Sequence, residues 1–81
     1  MNDVLTIEHY EKVGDVLKMI RLDQGKTRLE IVNACDISLN TVALVENNKV
    51  IPSIPTLHEW CKALGYSSLC LKFHYESGDG R

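Results

Sequence analysis

Apolar positions recur every three to four residues over most of the chain, then every second residue near its end. The first spacing belongs to helices and the second to a strand. Val13, Leu17 and Ile20, with Val16 or Met19, make one apolar stripe and predict a first helix over residues 7–24. Gly25 stands where that helix should stop. Thr27 is followed three positions later by Glu30, the reciprocal pair that opens a helix. It predicts a second helix over residues 28–35, with Leu29, Ile31, Val32 and Cys35 as its apolar side. Ser38 caps a third, over residues 39–47, after a short turn at Asp36 and Ile37. Ser53, with Pro55 in the first turn, opens a fourth over residues 54–64, and Gly65 closes it. Leu57, Trp60, Cys61 and Leu64 are its inward positions.

Beyond Gly65, Leu69, Leu71, Phe73 and Tyr75 alternate with Cys70, Lys72, His74 and Glu76. That pattern predicts a strand over residues 67–76. No other segment reads as a strand, and a lone strand leaves its backbone groups unpaired. Pairing with the same strand of a second copy satisfies them, so Leu69, Leu71, Phe73 and Tyr75 are the expected dimerisation residues. A terminal helix or an irregular tail packed on the bundle is the alternative. Residues 1–66 are expected to form one helical domain, and residues 77–81 a disordered tail.

Composition narrows the function. A chain of 81 residues, 44% hydrophobic and 25% charged, suits one small globular domain. No apolar run is long enough to cross a bilayer, so no membrane role is expected. The first residues carry an acid and no basic region, so a secretory signal is not expected either, and a cytoplasmic location is. The net charge of −2 argues by itself against nucleic acid, but binding follows local patches rather than the total. Cys35, Cys61 and Cys70 show no Cys-x-x-Cys spacing. His58 with Cys61 and Cys70 with His74 raise the question of zinc. Cys61 falls on the apolar side with Leu57 and Leu64, which argues against it, so no metal is expected. There is no phosphate-binding glycine loop and no nucleophile elbow. Neither an enzyme nor a cofactor is expected.

Two short helices joined by a tight turn, closed by two others, describe a helix-turn-helix domain. Residues 14–66 resemble the Cro/C1-type helix-turn-helix domain, the XRE family. The resemblance runs through Ile20-Arg21, the stretch from Gly25 to Ile31, and Ile37-Ser38. It continues through Glu46-Asn47-Asn48, Pro52-Ser53, Thr56-Leu57 and Ala63-Leu64-Gly65. The strand after Tyr66 is similar to the tail of toxin–antitoxin-type repressors. The family usually has Gln at Arg28 and Gly at Asp36 and Asn48. Asp and Asn are the non-glycine residues that best tolerate positive φ, so the backbone should be kept.

The resemblance implies a mainly α fold, a four- to five-helix lambda-repressor-like bundle with the C-terminal strand pairing across a dimer. It places Leu39, Asn40 and Leu44 at base-reading positions, with Ser38 and Thr41 beside them. Thr27, Arg28, Asn47, Asn48 and Lys49 fall at phosphate-contact positions. Arg21 and Glu46 match a structural ion pair. Asn can bond adenine through both its amide atoms, and an apolar side chain can pack on a thymine methyl. Lys26, Arg28 and Lys49 would supply local positive charge despite the acidic total. The implied function is transcriptional regulation, as a homodimeric repressor that binds a palindromic operator in double-stranded DNA through residues 39–47. The alternative is an antitoxin-like or adaptor protein, with Leu39 and Leu44 as a surface for a protein partner.

Overall fold

A computed structural model describes residues 4–8 and 12–71. In chain order the elements are β1 (Val4–Ile7), α1 (Val13–Asp23), α2 (Arg28–Cys35), α3 (Leu39–Glu46), α4 (Ile54–Ala63) and β2 (Ser68–Leu71). The fold is mainly helical, as expected, and the helix starts follow the caps in the sequence. Thr27 Oγ1 accepts from the Glu30 amide at 3.2 Å, and Glu30 Oε1 accepts from the Thr27 amide at 2.8 Å. Ser38 Oγ accepts from the Thr41 amide, and Ser53 Oγ from the Thr56 amide. Each bond satisfies a donor that the first helical turn would otherwise leave unpaired. Asp36 and Asn48 both stand in the left-handed region, at φ 56° and 59°. They make the turns after α2 and α3 in the conformation that glycine adopts most readily.

The N-terminal segment departs from expectation. The first helix begins at Val13 rather than at residue 7. Val4–Ile7 is a strand instead, paired in parallel with β2 in the register Val4↔Ser68, Leu5↔Leu69, Thr6↔Cys70 and Ile7↔Leu71. Leu5 and Ile7 point into the core while Val4 and Thr6 are exposed, a period of two. Residues 68–71 are therefore not a lone strand: their partner is the other end of the same chain. The inference from an unpaired strand to a dimer does not hold for them. Leu69 and Leu71, expected at a dimer interface, pack against the chain's own core. Phe73, Tyr75 and the tail 77–81 lie outside the described residues.

The core joins every layer. Leu5 and Ile7 of β1 meet Val13 and Leu17 of α1, Ile31 of α2, Val42 and Val45 of α3, and Leu57, Trp60, Cys61 and Leu64 around α4. Gln24 Nε2 donates to the Leu64 carbonyl at 2.8 Å and ties the end of α1 to the end of α4. One close approach fixes how α1 meets α3. A Cβ placed on Gly14 would run into the Val45 carbonyl oxygen and the Asn48 side chain. Only glycine lets the two backbones come so near.

Candidate nucleic-acid interface

α3 shows one face to solvent and one to the core. Val42, Val45 and Glu46 are buried. Asn40 and Asn47 are exposed, Ala43 and Leu44 are half-buried, and Leu39 is 52% exposed despite being apolar. At 100° per residue, the open face spans an arc of about 140° from Leu39 through Ala43, Asn47 and Asn40 to Leu44. Thr41 is half-buried at its border, its hydroxyl 2.9 Å from Ser38 Oγ. Ser38 is thus occupied as the cap that holds the helix start.

The end of α3 is locked to the body by a three-residue ionic cluster. Glu46 is 1% exposed and Arg21 6%. Arg21 Nε donates to Glu46 Oε2 at 2.6 Å and Arg21 Nη2 to Oε1 at 3.0 Å, a two-pronged pair. Arg21 Nη1 donates to the Lys26 carbonyl at 2.8 Å, so the same guanidinium also fixes the loop before α2. Arg28 Nε reaches Glu46 Oε1 at 2.9 Å, while the Arg28 side chain stays 35% exposed. Burial pushes the Glu46 carboxyl up. The hydrogen bonds and charges of Arg21 and Arg28 more than offset this and hold it below the ordinary carboxylate range. Two cations on one carboxylate leave the cluster with one net positive charge.

The remaining expected contacts fall at or beside the C-terminal end of α3. The Arg28–Glu46 bond brings the start of α2 beside the end of α3, where Asn47, Asn48 and Lys49 follow in exposed positions. The Lys49 amide donates to the Leu44 carbonyl and closes the helix. Thr27 is exposed, with its hydroxyl within the capping box. Asn48 Nδ2 donates to Asp15 Oδ1 at 2.7 Å, which ties the turn after α3 to α1. Sequence reasoning missed two features of this site. Arg28 was expected at phosphate alone, and its bond to Glu46 was not foreseen. Gly14 and Asp15, which seat α1 on α3, were given no role, although a glycine inside a helical pattern was the available signal.

Among the described residues, no group of three or more His, Cys, Asp or Glu side chains is placed to hold a metal ion. No helix there is long and apolar enough to cross a membrane. His74, half of one Cys/His pair, lies outside the described residues.

Comparison with known proteins agrees with this geometry. The helix-turn-helix family matches residues 17–69. The transcriptional regulator ClgR of Mycobacterium tuberculosis, in strains CDC 1551 / Oshkosh and ATCC 25618 / H37Rv, is 37% identical over 54 residues. That stretch is 67% of this chain and 48% of the regulator, so the chain spans about half the length of these curated relatives. No solved structure matches the chain significantly. With the cap-turn-cap geometry of α2 and α3 and a match over well over half its length, the chain belongs to the helix-turn-helix family of Cro/C1 type, a family of DNA-binding, non-catalytic domains.

Proposed function

We propose that this chain is a sequence-specific DNA-binding regulator of transcription, acting as a repressor in the cytoplasm, with α3 as the helix that enters the major groove. The observation that carries the reading is the pairing of an open α3 face with a buried Arg21–Glu46 lock behind it. A reading helix must be held rigidly, and this one is held at its start by Ser38 and at its end by Glu46. Asn40, Leu39 and Leu44 address base edges in this reading. Thr27, Arg28, Asn47, Asn48 and Lys49 address the phosphates on either side.

A homodimer is part of the proposal. α3 has eight residues, about 12 Å of helix, and can contact only a few base pairs. Two copies related by a two-fold axis would read a palindrome with half-sites about 34 Å apart, or a multiple of that. The interface is proposed in the C-terminal segment that includes Phe73 and Tyr75. Selection of bound duplexes from a random pool tests the proposal. A palindrome of fixed spacing supports it, and no enrichment by folded protein overturns it.

One observation favours a second reading. Leu39, Val50, Ile51 and Ile54 are all large, apolar and at least 41% exposed. An antitoxin-like or adaptor protein would use such residues to bind a protein partner.

A further inference from the structure

The open face of α3 carries no charged side chain. Its residues are Leu39, Asn40, Ala43, Leu44 and Asn47, and the single ionised group of the helix, Glu46, is buried under two arginines. Guanine is ordinarily read by Arg or Lys at O6 and N7, and cytosine by Glu or Asp at N4. Neither chemistry is available on this face. Arg21 and Arg28, the two cations bonded to α3, are both held at the helix end by Glu46. The groups that are available suit the other base pair. An Asn side-chain amide pairs in two-pronged fashion with adenine N6 and N7, and apolar carbons pack on the thymine 5-methyl. Leu39 and Leu44 stand at the two edges of the face with Asn40 and the small Ala43 between them, so methyl contacts flank the amide contact.

We infer that α3 reads A·T base pairs, with Asn40 on an adenine and the exposed Leu39 side chain on a thymine 5-methyl group. The inference rests on the DNA-binding reading proposed above and specifies its substrate as a half-site with an A·T core. It follows from which chemistries the folded helix leaves open, and the burial of Glu46 is essential to it. An exposed Glu46 would offer a cytosine acceptor on the same helix.

The experiment uses the full chain and the half-site selected from a random duplex pool. The expected result is enrichment of A·T pairs at the central positions of each half-site. Deoxyuridine, which differs from thymidine by the 5-methyl group alone, then replaces each thymidine in turn. One replacement should weaken binding about fourfold, the effect of losing one buried methyl-sized group. In Leu39→Ser, which alters an exposed side chain, thymidine and deoxyuridine duplexes should bind alike at that position. Selection of a palindrome with a G·C core overturns the inference while leaving DNA reading intact. An A·T core with no deoxyuridine effect, or an effect that persists in Leu39→Ser, overturns the thymine contact. No enrichment at all, from protein with a native melting transition, overturns the DNA reading and the inference together.

Discussion

Arg28 Nε and Arg21 Nη2 converge on one atom, Glu46 Oε1, at 2.9 and 3.0 Å. The two arginines are unequal partners. Arg21 is buried with Glu46 and bonds both carboxylate oxygens, whereas Arg28 is about a third exposed and uses one. Arg21 therefore belongs to the fold, and Arg28 is placed to serve both the fold and a ligand. Arg21→Ala should cost about 3–5 kcal/mol, because it strips a buried carboxylate of its main partner. Arg28→Ala should cost about 1 kcal/mol or less, since solvent already screens that pair. Urea unfolding followed by the fluorescence of Trp60, the single tryptophan, measures both. Equal costs would contradict this division. Arg28→Ala should also lower affinity for all DNA sequences alike and reduce the salt slope by about 1.

Acid should unfold the protein in part through Glu46. Its carboxyl is held below the ordinary range in the folded state, so the unfolded chain takes up protons first as pH falls. The stabilisation is fully present above the unfolded value of about 4.3 and is lost as pH falls through the lower folded value. Glu30 acts in the same direction, lowered chiefly by its hydrogen bond from the Thr27 amide. Glu46→Gln should be less stable at neutral pH and should lose less stability as pH falls below the ordinary carboxylate range. Parallel curves for the two proteins would remove Glu46 from the explanation.

Much of this arrangement is written locally in the chain. Thr27 with Glu30, Ser38, and Ser53 with Pro55 each act within one helical turn, so their spacing suffices to place α2, α3 and α4. Asp36 and Asn48 were legible as stand-ins for glycine because the tolerance for positive φ belongs to the residue itself. What was hidden depends on distant partners. β1 is four residues of alternation whose partner lies at the other end of the chain, too short a run to mark a strand until that partner is seen. The bond from Arg28 to Glu46 crosses the turn between two helices, where no spacing rule applies.

The terminal strands should matter for stability. Ile7 is 1% exposed, and its side chain belongs to the same core as Trp60 and Leu17. Ile7→Ala should cost about 2–5 kcal/mol, the range for truncating a buried aliphatic residue. Thr6→Ala, on the exposed side of the same strand, should cost less than about 1 kcal/mol. Similar values from urea unfolding would mean that β1 does not alternate between core and solvent.

Gly14→Ala should separate α1 from the end of α3. The added methyl would meet the Val45 carbonyl, which is backbone and cannot rotate away. A loss of about 1–3 kcal/mol is expected from such overpacking, read as a lowered melting temperature. Unchanged or raised stability, as for alanine in an open helix, would contradict the close approach.

The three thiols should react at different rates. Cys35 is pushed up to about 11, by burial first and by the charge of Glu59 second. Cys61 is raised by burial, and its Sγ lies 3.4 Å from the Ser68 carbonyl. Cys70 is exposed on β2. A thiol-specific reagent near neutral pH should label Cys70 rapidly and the other two only on unfolding, because the thiolate is the nucleophile. Rapid labelling of Cys61 in native protein would contradict its place in the core.

The reading of α3 is tested most directly by Asn40→Ala, titrated against the selected operator and against a scrambled duplex. Asn40 is exposed, so the folded state should be unaffected. The preference for the operator should fall by about 1–3 kcal/mol, while binding to the scrambled duplex stays as in the unaltered protein. An Asn40→Ala protein that discriminates the two duplexes as well as the unaltered chain would show that α3 does not read the bases.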